Sequence, residues 1–338
     1  MVPNIELLKN QLSDICLVVC AGFEDRAPRA AELIEGMDVR ARSVLLLTYP
    51  GEEHSASYER LMSACHRIAH GPGAVRQMPL ADALREPGLV EVINMPGDLV
   101  VCDITALSRI ALFSILTRIV NSNRRLWLLY TEAEEYWPTK EDYGRIKLDR
   151  ASDMSEAFFN LTTFEHAEIV YSGRCRVEEI PGFEGRHLPN YPLMLIAFLT
   201  FKRSRLGAIL REYETNVKIL VQGKPVRSDL TWREKLMETV NFDLIDDNKN
   251  SVHLVETLDW KATHTFLSHI YNRDHNKYRF NILIAPLGSK MQTVGSWVFA
   301  VENPSVKLIT SSPERLFPEK YSRGWRDTFI IKDLPFRS

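Results

Sequence analysis

What this chain lacks narrows its chemistry first. It has no surplus of either charge: 42 Lys and Arg stand against 44 Asp and Glu, a net charge of −2. Proteins that grip duplex nucleic acid through its phosphates carry a basic excess, so bulk duplex binding is not the expected role. Cysteine is scarce, five in 338 residues, and none forms a C-x-x-C pair. Cys16, Cys20 and Cys102 sit in apolar strand-like runs, where a thiol acts as a small hydrophobe. An odd, scattered set speaks against a disulfide framework and for a reduced, cytoplasmic setting. The longest apolar runs stay below the ~20 residues needed to span a bilayer. The opening "MVPNIELLKNQLSD" has no apolar signal core, so neither a membrane span nor a leader is expected.

Familiar site signatures are missing too. No G-x-G-x-x-G follows the first apolar run, and the "GSK" at 288–290 lacks the upstream glycine spacing of a P-loop. The nine histidines form no H-E-x-x-H and have no cysteine partners for zinc. No G-x-S-x-G elbow is present. No cofactor and no metal is expected. "RLMSACH" at 60–66 has the R-x5-H spacing of HEPN ribonucleases. That family is all-helical, whereas this string lies between two strand-like runs and reads as an amphipathic helix.

What is present is a repeat. Residues 98–131, "DLVVCDITALSRIALFSILTRIVNSNRRLWLLYT", align without a gap with 279–312, "RFNILIAPLGSKMQTVGSWVFAVENPSVKLITSS", at an offset of 181. Upstream, "DICLVVCAGFEDRAPRAAELIEG" and "YPLMLIAFLTFKRSRLGAILREYE" share the order strand, charged loop, helix. "SVLLLTYPGE" then matches "NVKILVQGKP", and amphipathic stretches follow each. Each half reads as five strands alternating with four helices. The strands are continuous apolar runs, the mark of a parallel sheet covered on both faces. The expected fold is α/β: two tandem Rossmann-like, doubly wound, mainly parallel repeats related by a pseudo-two-fold. The expected boundaries are 1–148 for repeat one, 149–190 for an inter-repeat insertion holding a helix and an extra strand or hairpin, and 191–338 for repeat two.

In open α/β sheets, ligands bind beyond the carboxyl ends of strands, at the topological switch point. That singles out the loops after the first and fourth strands of each half. In repeat one they are "GFEDRA", with Glu24, Asp25 and Arg26, and "DITALSR", with Asp103, Thr105, Ser108 and Arg109. In repeat two they are "TFKRSR", with Lys202 and Arg203, and "APLGSKMQ", with Gly288, Ser289, Lys290 and Gln292. Ser108/Arg109 and Ser289/Lys290 fall at strand-to-helix turns, whose free N–H groups and positive dipole end suit an anion. A cation there opposes the dipole. A bound anion explains it; so does an N-cap serine beside a solvated cation. Gly288 lets the backbone approach a ligand closely. Glu24 and Asp25 suit acid–base work or a ribose hydroxyl, and equally suit a first helical turn.

With these residues in view, the chain resembles the CARF and SAVED families, Rossmann-like domains that sense cyclic oligonucleotides in bacterial antiviral systems. The fourth-strand loop of CARF domains is typically rich in Gly, Thr and Lys. "APLGSKM" is similar through Gly288, Ser289, Lys290 and Met291. "DITALSR" matches the leading Asp-x-Thr through Asp103 and Thr105, then lacks the glycines and ends in Arg109. The resemblance implies that the loops of both copies face one pocket, made asymmetric by their divergence, which takes a small anionic nucleotide-type ligand. The implied ligand-binding set is Arg26, Asp103, Thr105, Ser108, Arg109, Lys202, Arg203, Gly288, Ser289, Lys290 and Gln292. The repeats fill nearly the whole chain, so any output is expected to pass to a protein partner in trans. Two further readings stay open. One is a structural or assembly subunit of a multi-protein defence complex with a vestigial pocket. The other is a nucleotide-processing enzyme, nucleosidase- or deoxyribosyltransferase-like, with Glu24, Asp25 and Asp103 as catalytic candidates.

Overall fold

The computed structural model describes residues 15–37, 39–52, 55–86, 88–146, 153–162, 173–245, 247, 250–332 and 334–336. The chain divides into two compact units, residues 1–137 with 318–338, and residues 138–317.

In the first unit the apolar runs form β1 (Ile15–Ala21), β2 (Ser43–Thr48), β3 (Val75–Pro79), β4 (Leu99–Asp103) and β5 (Arg125–Thr131). Helices α1 (Arg29–Gly36), α2 (Ala56–Ile68), α3 (Gly88–Asn94) and α4 (Arg109–Asn121) alternate with them. The five strands run parallel in the order β3-β2-β1-β4-β5. Every residue of β1, β2 and β4 is buried, which is why these strands read as unbroken apolar runs rather than alternating ones. Ile15, Leu17 and Val19 pack against Ala30, Ala31 and Ile34 of α1 and against Leu61 and Cys65 of α2. Each fully buried Leu, Ile or Val contributes roughly 1.5–3 kcal/mol. The R-x5-H string lies on α2: Arg60 pairs with Glu32 at 2.7 Å, and His66 is exposed.

After the two-residue strand β6 (Glu135–Tyr136) the chain enters the second unit through α5 (Lys140–Ile146) and α6 (Met154–Thr162), then β7 (Cys175–Glu179). The helix expected in "SEAFFNLTTF" is α6, and the extra strand is β7. Most of the neighbouring "AEIVYSG" lies outside the described residues. The repeat follows: β8 (Leu193–Phe198), α7 (Arg203–Glu212), β9 (Val217–Lys224), α8 (Trp232–Val240), β10 (Asn250–Glu256), α9 (Trp260–Asn272), β11 (Asn281–Ala285), α10 (Lys290–Glu302) and β12 (Lys307–Pro313). Its five strands run parallel in the order β10-β9-β8-β11-β12, the plan of the first unit. These are two tandem Rossmann-like sheets.

Each sheet gains a sixth strand, antiparallel, beside its fifth. In the second unit it is β7, paired with β12. In the first it is β14 (Thr328–Ile331), paired with β5 and preceded by the short β13 (Ser322–Arg323), which pairs with β6. Residues 318–338, which the sequence reading groups with the second repeat, therefore lie in the first unit, and residues 149–190, set apart there as an insertion, lie in the second. The cause is edge pairing. Phe329 and Ile331 bury their side chains, and the backbone of β14 saturates the free edge of β5.

Candidate functional site

In both sheets the strand order reverses between the first and fourth strands of the repeat, β1/β4 and β8/β11. The four loops singled out in the sequence sit at the carboxyl ends of those strands. Ser108 and Ser289 occupy matching turns. Each is the N-cap of a 13-residue helix, with φ/ψ of −63°/164° and −67°/168°, and each accepts from the third helical N–H, Ala111 at 3.2 Å and Gln292 at 3.1 Å. Arg109 and Lys290 are then the first helical residues, both half-buried.

The two turns are held differently. In the first unit Tyr49, next after β2, puts its hydroxyl into the loop. It accepts from Ser108 N at 2.8 Å and donates to Ala106 O at 3.2 Å. Burial pushes the Tyr49 phenol up, so it stays neutral and able to donate. In the second unit the clamp comes from within the helix. Ser289 and Gln292 form a capping box, with Ser289 N donating to Gln292 Oε1 at 2.9 Å. Ser289 Oγ donates to Thr257 O at 2.5 Å and Gln292 Nε2 to Val255 O at 3.1 Å, which fastens the turn to the end of β10. Gln292 is 1% exposed, and its side chain positions the turn. Gly288 has a packing cause: a Cβ there would collide with Gln292 Oε1 and sit 3.3 Å from Phe198 Cβ, at the end of β8.

Three first-unit candidates face inward. Asp103 Oδ1 accepts from Thr105 N at 2.9 Å and from Thr105 Oγ1 at 2.5 Å, and Thr105 Oγ1 in turn accepts from Thr131 N at 2.9 Å. Asp103 and Thr105 are 3% and 1% exposed, so this pair ties the end of β4 to the end of β5. Arg26 is buried as well. It meets Glu24 Oε2 through Nε at 3.1 Å and Nη2 at 2.8 Å, and Nη1 reaches Thr131 O at 2.9 Å, Tyr130 OH at 3.3 Å and Tyr136 OH at 3.5 Å. Burial works against its charge. The Glu24 carboxylate, with Tyr130 and Tyr136, more than offsets that and holds the guanidinium well above its usual pKa. Every nitrogen of the guanidinium has a protein partner, so Arg26 organises the loop. Burial likewise pushes the Tyr136 phenol up.

The second-unit loops are cationic. Lys202 caps α7 and is half-buried. Arg203 pairs with Asp243 and lies 5.0 Å from the Phe158 ring. Two arginines escape a sequence reading. Arg205 Nε donates to Ser311 O at 2.7 Å. Arg233, from the start of α8, donates to Pro138 O at 2.6 Å and lies 4.4 Å from the Phe201 ring. Arg205 had a signal: like Arg26, it follows the first strand of its repeat and reaches a carbonyl near the end of the fifth. Ser311 aligns with Tyr130. Where Tyr130 meets Arg26 and Tyr136, Ser311 Oγ is buried with no hydrogen-bond partner among the described residues.

Among the described residues no group of three His, Cys, Asp or Glu is placed to hold a metal, and no helix is long and apolar enough to cross a membrane. A shallow recess lined by Arg186, Tyr191, Tyr271, Lys277 and Asn281 lies at the amino ends of β8 and β11, the edge away from these loops.

No family model and no curated protein matches this chain. Several solved structures show a weak likeness to it. One is described as a Type III CRISPR defence DNA nuclease activated by cyclic oligoadenylate: TM-score 0.49, 11% identity, covering 88% of this chain and 65% of that one. A universal stress protein from Archaeoglobus fulgidus gives 0.23 at 9% identity, over 87% and 94% of the two chains. A UDP-N-acetylglucosamine 2-epimerase, described as putative, from Listeria monocytogenes gives 0.23 at 14%, over 86% and 89%. This chain thus spans about two-thirds of the length of the nuclease. Likeness of this order assigns no activity.

Proposed function

We propose that this chain is a ligand-sensing module whose second unit binds a small phosphate-bearing nucleotide, and that it acts through a protein partner in a bacterial antiviral system. The observation that carries the reading is the pair of serine-capped helices, each with a cation at its first residue, at the switch points of two sheets of one plan. A cation set against the helix dipole twice has a use if an anion sits there. The second unit is favoured because its loops bring Lys202, Arg205 and Lys290 to the ends of neighbouring strands. The acids of the first-unit loop, Glu24 and Asp25, are engaged by protein donors. The CARF-like character of "APLGSKM" supports the ligand class.

Thermal shift and calorimetric titration with cyclic oligonucleotides, linear oligonucleotides and mononucleotides test this. At least one should raise the melting temperature. Charge-assisted hydrogen bonds to phosphate contribute roughly 1.5–3 kcal/mol each. Lys290→Ala should therefore weaken binding about tenfold or more with the fold intact, and Arg109→Ala less. If nothing in the panel binds, the assembly-subunit reading takes its place. If Lys290→Ala binds as well as the wild type, the site lies elsewhere.

A further inference from the structure

In the first unit the loop after β1 is covered by the chain's own return. After β12 the chain returns, and residues 321–325 lie along the loop that follows β1. Tyr321 packs edge-on against Phe23 with ring centroids 5.0 Å apart. Ser322 Oγ donates to Glu24, and Gly324 N donates to Asp25 Oδ2 at 3.3 Å. The Trp325 ring takes the Arg29 and Arg60 guanidiniums at 5.7 Å and 4.9 Å. The segment adds a strand: β13 pairs antiparallel with β6, and Trp137 N donates to Tyr321 O at 2.9 Å. Gly324 has φ +61°, and a Cβ there would stand 2.7 Å from Glu134 Oε2, so the turn is shaped to this seat.

These contacts are those of peptide recognition: main-chain pairing for hold, and two aromatic side chains and two N–H or O–H donors for selectivity. The segment is separable from its anchor. Phe329 and Ile331 are 6% and 3% exposed and Thr328 bonds Thr131 across the ladder, whereas Trp325 is 38% exposed. Local opening draws on segments with few buried contacts. The chain leading in is apolar and exposed at Leu316 and Phe317, 55% and 43%.

We propose that the loop after β1, with β6, forms a peptide-binding cleft closed in cis by the 321–325 strap. Its ligand class is a short peptide strand running into a glycine turn, with an aromatic-x-x-Gly-aromatic pattern and a donor between, of which the strap is the resident example. The proposal is independent of nucleotide binding in the second unit. An external peptide competes against the high effective concentration of a tethered strap, so the cleft opens only when the strap is weakened or outcompeted.

The test uses the full chain. A labelled synthetic peptide of residues 318–327, "PEKYSRGWRD", is titrated against wild type and against Tyr321→Ala/Trp325→Ala. It should bind the variant at least tenfold more tightly than the wild type, and a peptide with its own Tyr and Trp changed to Ala should bind neither. No binding to the variant up to roughly millimolar peptide, with β14 amides still protected from hydrogen exchange, overturns the proposal. Equal binding to both proteins overturns it too. A measurement on the wild type alone covers the case of a variant that does not fold: amides of 321–325 should exchange faster than those of 328–331, and one common rate for the two segments defeats the strap.

Discussion

Arg26 shows how far a residue's type can mislead about its job. It belongs to a charged loop at a switch point, where a cation suggests a ligand, yet its guanidinium joins Glu24, Thr131, Tyr130 and Tyr136 in the interior. Removing one partner of a buried pair leaves the other charge desolvated and alone, at a cost of roughly 3–5 kcal/mol. Arg26→Ala should lower the unfolding free energy of the first unit by about that amount in urea titration. Glu24→Ala in the same background should cost less than it does alone, since the charge it removes has already lost its partner. A loss of only a few tenths of a kcal/mol would mean that Arg26 is a solvated cation. Gly288 carries the same lesson. Its missing Cβ admits Gln292 to the capping box, a reason internal to the protein.

At the scale of elements, the two edges of each sheet are finished differently. The β5 and β12 edges are each covered by an antiparallel strand, while β3 and β10 end their sheets. His253 on β10 lies beside the Phe266 ring at 5.2 Å. Burial, then Arg273 and His269, lowers its pKa from 6.5. The sign follows from linkage. Below about pH 6.5 the unfolded chain takes up a proton that the folded strand resists, so stability present above that pH is lost as pH falls through the lower folded value. The urea midpoint of the second unit should fall between roughly pH 7 and pH 5, and His253→Gln should remove part of that fall. Identical pH profiles for the two proteins would count against a shifted His253. Tyr49 belongs to this scale as well, because one hydroxyl from the end of β2 sets the turn that begins α4.

At the scale of the whole molecule, one unit is continuous in sequence and the other is not. Residues 138–317 include all six strands of their sheet, so this fragment should express as a soluble domain with a single cooperative unfolding transition. Residues 1–137 lack β14, which leaves the edge of β5 open to pairing with other chains. That fragment should aggregate, and co-expression with a 318–338 segment should restore solubility. Light scattering and circular dichroism decide the matter. A soluble, cooperatively folded 1–137 would mean that β14 adds little to the first unit.

The sequence by itself determined the two parallel sheets, the alternation of strand and helix, the serine N-caps at 108 and 289, and the cations that follow them. These are written in local patterns: unbroken apolar runs for strands buried on both faces, and a hydroxyl three residues before the N–H it caps. Only the tertiary structure decided where the sixth strands come from, which partners hold Arg26, and that the tail lies on the loop after β1. Arg26 and Thr131 are 105 residues apart, and Glu24 and Ser322 are 298 apart. A short antiparallel strand at a sheet edge carries no signal of which edge it will join. Its pairing is set by whichever edge is left open once the parallel core has formed, and that is a property of the folded sheet.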